Sequence, residues 1–172
     1  MENLNKISKS VLFLMIVSFA VFTGSYLTKL LLISQFFDAE TMELKSIYAN
    51  QNLKLTLESL LPVFSVTLIF HVSFLLFFIL FLVLTKINLK INGWLFIVVI
   101  TLLVTTPFEV YLIFKYDVKI ISQLLSESFE QSYLIGLLKN RISELGPFPL
   151  ILLFSNILII FLVTFKPLQK RS

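Results

Sequence analysis

Four apolar runs, residues 11–28, 60–85, 91–114 and 148–165, constrain this chain more than any other feature. Crossing about 30 Å of hydrocarbon at 1.5 Å per residue takes roughly 20 residues, and each run comes close to that length or exceeds it. A segment in hydrocarbon must satisfy its own backbone N–H and C=O groups, which leaves the α-helix as the solution for separate spans. Composition agrees, because 58% of the 172 residues are hydrophobic, 14% are charged and the mean hydropathy is +0.96. Soluble domains lie well below the first value and above the second. The expected fold is an all-α integral membrane protein, a single membrane domain over residues 1–172. Lys6 and Lys9 ahead of the first run give it the layout of a signal peptide. However, "VFTGSYLTK" has no convincing small-x-small cleavage site, so the run is expected to remain as a span.

The Lys and Arg residues sit at the ends of the runs and read as topology signals rather than as a nucleic-acid surface. The N-terminus (Lys6, Lys9), the tight turn "KINLKING" (Lys86, Lys90) and the tail (Lys166, Lys170, Arg171) hold half of the 14 basic residues in very few positions, with Glu2 as their only acid. The connections over residues 29–59 and 115–147 hold the other basic residues together with Asp38, Glu40, Glu43, Glu58, Asp117, Glu127, Glu130 and Glu144. Positive loops stay inside, so both termini are expected in the cytoplasm and both long connections outside. The spans then form two parallel-oriented hairpins. Richness in Phe, Ile, Leu, Lys and Asn points to a bacterial source with an AT-rich genome, hence to a bacterial cytoplasmic (inner) membrane.

The two halves, 1–86 and 87–172, share one plan, and an offset of 85 aligns Tyr26-Leu27 with Tyr111-Leu112, Tyr48 with Tyr133, Lys54 with Lys139, Leu60 with Leu145 and Pro62 with Pro147. These few matches suggest an internal repeat and pair His71 with Asn156. In the second connection, apolar residues at steps of three and four predict one amphipathic helix over 118–145 on the external side, interrupted at most at Gly136. Its expected buried stripe is Val118, Ile121, Leu124, Leu125, Phe129, Tyr133, Leu137, Leu138, Ile142 and Leu145. In the first connection "TMELKSIY" is helix-compatible, whereas "NLKLTLES" alternates as a short strand would.

Glu109 stands inside the third run, with Thr105 and Thr101 at four-residue intervals before it, so the three polar groups fall on one helical face. Pro107 lacks an N–H and is expected to kink the helix beside that face, freeing the carbonyl of Leu103. His71 with Thr67 and Asn156 with Ser155 place further polar groups in the second and fourth runs at similar depth. In a structural role the hydroxyl, amide and imidazole groups bond across helices and Glu109 reaches the outer headgroups or pairs with Lys29 or Lys115. In a functional role Glu109, His71, Thr105, Thr101 and Asn156 line an ion, proton or substrate path.

The absence of cysteine and the single histidine leave no thiolate chemistry and no protein-built zinc or bis-histidine haem site, so no cofactor is expected. Gly-rich phosphate cradles and nucleophile elbows are absent too. The expected function is a non-enzymatic membrane subunit or scaffold whose partners are the lipid bilayer and other membrane subunits or further copies of itself, with no nucleic acid. The alternative is a small oligomeric transporter or channel component built on the Glu/His/Thr residues. A membrane enzyme using Glu109 or His71 as general base is the weakest expectation, since one Glu and one His are thin support for such chemistry.

Overall fold

The computed structural model describes residues 5–38, 40–49, 53–85, 89, 91–126 and 130–168. Its helices are α1 (Lys6–Phe36), α2 (Ser46–Ala49), α3 (Leu53–Glu58), α4 (Leu61–Thr85), α5 (Gly93–Leu112), α6 (Val118–Leu125), α7 (Gln131–Ser143) and α8 (Phe148–Phe165), with a π-helical turn, Ile113–Asp117, joining α5 to α6. Four stretches, Lys6–Phe36, Leu53–Thr85, Gly93–Leu125 and Phe148–Phe165, are long and apolar enough to cross a membrane. The fourth coincides with its sequence run, whereas the first three are longer than theirs.

The excess length lies mostly at one end of the molecule, the cap end. α1 runs on past Lys29 to Phe36, so Lys29 is a buried helical residue and not the start of an exposed connection. α5 continues through the π turn into α6, which carries Lys115, Asp117 and Lys119 on helix as well. The single helix expected over 118–145 is two helices, and the break falls at Ser126 rather than at Gly136, which lies inside α7. Leu125 and Tyr133, expected on the buried stripe, are exposed at 68% and 45%. Leu124, Leu137 and Leu138 of that stripe do face inward, together with Ile120 of α6 and Leu134 and Arg141 of α7. Phe129 lies outside the described residues.

The strand-like "NLKLTLES" is the helix α3. Leu53 and Leu57 at a spacing of four, with Leu60 three further on, share a helical face, and Leu57 and Leu60 are buried while Leu55 on the opposite side is exposed. Leu, Lys and Glu are good helix formers, and Lys54 meets Glu58 one turn on at 3.8 Å. Of "TMELKSIY" only the last three residues are helical, as the start of α2. Leu44 before it forms an isolated antiparallel bridge with Phe37.

α1 and α4 are antiparallel and form the most extensive helix pair. Phe19 meets Phe74 and Phe22 meets His71, each at 4.7 Å between ring centroids, while Lys29 lies over the Phe64 ring. α5 and α8 are antiparallel as well, with Phe108 against Phe148 at the cap end and Gly93 against Leu168 at the other. Gly93 permits that approach, since a Cβ there would stand 3.1 Å from Leu168 Cβ. Two apolar clusters divide the core between the ends. The cap cluster includes Tyr26, Ile33, Leu57, Leu112, Ile120, Leu134 and Leu138. The cluster at the terminal end, where α1 begins and α8 ends, is built from Met15, Phe74, Phe78, Phe81, Trp94, Leu95, Val98, Leu102, Ile159 and Leu162.

Candidate functional site

Four ionisable side chains meet under the cap, one from each of α1, α5, the π turn and α7. Lys29 is 1%, Glu109 0%, Asp117 2% and Arg141 1% exposed. Lys29 Nζ donates to Asp117 Oδ2 at 2.9 Å and stands 3.8 Å from Glu109 Oε1. Arg141 Nε donates to Asp117 Oδ1 at 2.7 Å and Nη2 to Glu109 Oε1 at 2.6 Å, with a longer contact of 3.4 Å to Asp117 Oδ2. Two cations and two anions sum to zero formal charge. That balance matters because an isolated ion in a low-dielectric site costs several kcal/mol, which only a close, hydrogen-bonded opposite charge offsets. Aromatic faces complete the enclosure, with Lys29 Nζ 5.0 Å from the Tyr26 ring centroid and 5.5 Å from that of Phe64. The Tyr26 hydroxyl reaches the Pro149 carbonyl at 3.5 Å, linking α1 to α8 beside the quartet.

The π turn puts both carboxylates on one side of the same helix. At about 100° per residue, positions 109 and 117 of an uninterrupted α-helix would point about 80° apart. A π turn absorbs one extra residue, so the spacing acts as seven residues, or about 20° from eclipsed. Asp117 therefore stands about two turns above Glu109, and Arg141 spans the gap between them.

A second, more exposed clasp lies outside the quartet. Glu144, just past α7, accepts from Tyr111, Lys115 and Tyr116, all on the α5 and π-turn segment. The Lys115 ammonium and the Tyr111 hydroxyl hold the Glu144 carboxyl below its ordinary range. α7 is thus tied to the same helix by Arg141 on its buried side and by Glu144 at its end.

The polar residues singled out in the sequence take several positions. Glu109 is in the quartet, with the Lys29 contact expected of it and an Arg141 contact that was not. Thr105 is buried below Glu109 on the same face, but its hydroxyl donates to the Thr101 carbonyl at 2.9 Å, and Thr101 itself is half-buried. Pro107 faces outward on an unbroken α5 and is not beside the carboxylate, because two residues along a helix lie on nearly opposite faces. His71 is buried against Phe22, and Asn156 is buried on α8. Among the described residues, neither His71 ring nitrogen has a hydrogen-bond partner, nor do Asn156 Nδ2, Glu109 Oε2 and Arg141 Nη1.

Asp117 and Arg141 were missed as partners, although the sequence does hold a signal for Arg141. Leu134, Leu138 and Arg141 follow at steps of four and three, so the guanidinium falls on the apolar stripe of α7. An arginine there needs a buried counter-charge. No comparable signal exists for Asp117, because its direction depends on the π turn.

No protein-family model matches the chain, and no curated protein and no solved structure matches it either.

Proposed function

We propose that this chain is a non-enzymatic membrane subunit that contributes four spans and a clamped cap to a larger membrane assembly in a bacterial inner membrane. In this reading both termini are cytoplasmic, the cap is external and the spans are two hairpins of the same orientation. The observation that supports it best is the closure of the quartet. Each of its four charges has an opposite charge within 4 Å, so these groups hold the cap to the spans. Below them, the terminal half of the core is a cluster of aromatic and aliphatic side chains, which offers an ion no hydrated route through one copy. An origin by duplication belongs to the same proposal, supported by the inward positions of α4 and α8: Phe64, Thr67, His71 and Phe74 correspond at an offset of 85 to Pro149, Leu152, Asn156 and Ile159, all of them buried.

A partner helix would lie along the apolar groove of about 610 Å³ between α4 and the α5–π-turn segment, lined by Val72, Leu76, Ile79, Val110 and Phe114. Photo-crosslinking residues at Val72 and Ile79, in native membranes, are expected to give a protein adduct of one defined mass, while the same residue at Phe161 on α8 gives none. A chain that migrates near its own 19.9 kDa in native membranes and crosslinks only to lipid at all three positions would overturn the subunit reading.

One observation favours the transport reading, namely the partnerless nitrogens of His71 and Glu109 Oε2 on the inner side of the quartet. Proteoliposomes containing the purified chain and a pH-sensitive dye separate the two. Transport requires a proton flux that Glu109→Gln abolishes while the protein stays folded, because an amide does not titrate. The subunit reading requires no flux from either protein.

A further inference from the structure

A cavity of about 430 Å³ opens among α1, α4, α5 and α8 in the terminal half, lined by Met15, Phe78, Trp94, Val98 and Val163 among others. Its size falls within the roughly 300–1,000 Å³ of pockets that bury small molecules, and its lining is almost wholly apolar. Two features narrow the occupant. Trp94 is buried in the first turn of α5, and its indole N–H has no partner among the described residues. The cavity also reaches the surface between α1 and α8, where Ile16, Ala20 and Ile160 line it and are exposed. Ile16 and Ala20 share a face of α1 with Lys9, at steps of seven and four. Lys9 is exposed and lies about 10 Å closer to the chain end than Ile16, the rise of seven residues.

From these placements we infer that the cavity binds one acyl chain of an anionic phospholipid: the chain enters between α1 and α8, an ester carbonyl accepts from the Trp94 N–H, and the phosphate meets Lys9. An apolar chain matches the lining, an ester carbonyl supplies the acceptor that the indole lacks, and a basic residue on the entry face selects a negative headgroup. The inference stands apart from the subunit proposal, since a lipid held in this way serves a scaffold and a transporter alike.

Trp94 is the one tryptophan in the chain, so its fluorescence reads the cavity directly. The protein would be reconstituted in unbrominated phosphatidylcholine, with phosphatidylglycerol or phosphatidylcholine bearing brominated chains added at rising mole fraction. Brominated phosphatidylglycerol is expected to quench Trp94 saturably at low mole fraction, and brominated phosphatidylcholine only weakly, because the indole is shielded from bulk lipid. Lys9→Gln should move the midpoint about fivefold higher. Val98→Phe, which fills the cavity, should remove the saturable quenching while the helical circular dichroism stays unchanged. If that variant does not fold, Ala20→Phe at the entrance replaces it. Equal quenching by the two lipids, an unmoved midpoint in Lys9→Gln, or saturable quenching retained in the folded filled variant would overturn the assignment.

Discussion

At the scale of single residues, Asp117 and Glu109 are unequal members of the quartet. Asp117 accepts from Lys29 at 2.9 Å and from Arg141 at 2.7 Å, whereas Glu109 holds Arg141 at 2.6 Å but Lys29 only at 3.8 Å. Asp117→Asn leaves two buried cations facing one anion, and removing one member of a buried pair costs about 3–5 kcal/mol. Glu109→Gln leaves the same imbalance but is expected to cost less, because Glu109 holds only Arg141 closely and the Gln amide oxygen still accepts from it. Glu109→Leu should cost about 1–3 kcal/mol more than Gln, since it leaves Arg141 Nη2 with only its longer contact of 3.4 Å to Asp117. Combining Lys29→Met with Glu109→Gln removes one charge of each sign and leaves the Arg141–Asp117 pair intact. The double variant should therefore be less destabilised than the sum of the singles, with a coupling of about 0.5–3 kcal/mol, measured by unfolding in detergent. Strict additivity would mean that the four charges do not act as a unit.

At the scale of elements, the π turn is what makes the quartet. Phe114 within it is exposed at 71%, so deleting that residue removes little packing. The deletion returns the segment to a plain α-helix and leaves Asp117 seven residues after Glu109, on the same face as before. It is expected to shift the thermal midpoint by only a few degrees, on the scale of about 1 kcal/mol. Inserting an alanine after Phe114 instead swings Asp117 by about 100° and should destabilise as much as Asp117→Asn. If the deletion were the more damaging change, the register argument would fail. α7 shows the same dependence on direction, because its contribution comes from Leu134, Leu138 and Arg141 on one face while Tyr133 looks outward.

At the scale of the whole molecule, the helices arrange the charged and apolar halves at opposite ends. The quartet and the Glu144 clasp gather at the cap, and the cluster of Phe74, Phe78, Phe81 and Trp94 fills the end where α1 begins and α8 ends. A chain with four spans and this polarity should place reporters fused after Ser172 and within 127–131 on opposite sides of the membrane. Reporters on the same side would overturn the orientation and the span count together.

Hydropathy alone determined the class and the number of long apolar helices, because the spacing and length of apolar runs answer to the thickness of hydrocarbon whatever the packing. The fourth helix, Phe148–Phe165, could be read to the residue, since Pro147 and Pro149 mark its start and the charge of Lys166 followed by Pro167 its end. Glu109 could also be recognised as inward-facing with Thr105, because helical periodicity is local. The sequence offered Lys29 or Lys115 as its partner, but the quartet as a whole could not be found that way. Lys29, Asp117 and Arg141 gather around Glu109 from positions 80, 8 and 32 residues away, and their meeting depends on features periodicity does not carry: the continuation of α1 past a lysine, the extra residue in a π turn, and the break at Ser126 that folds α7 back onto the spans. Tertiary packing decided those three, because burying a charge is tolerable only where the opposite charge arrives with it.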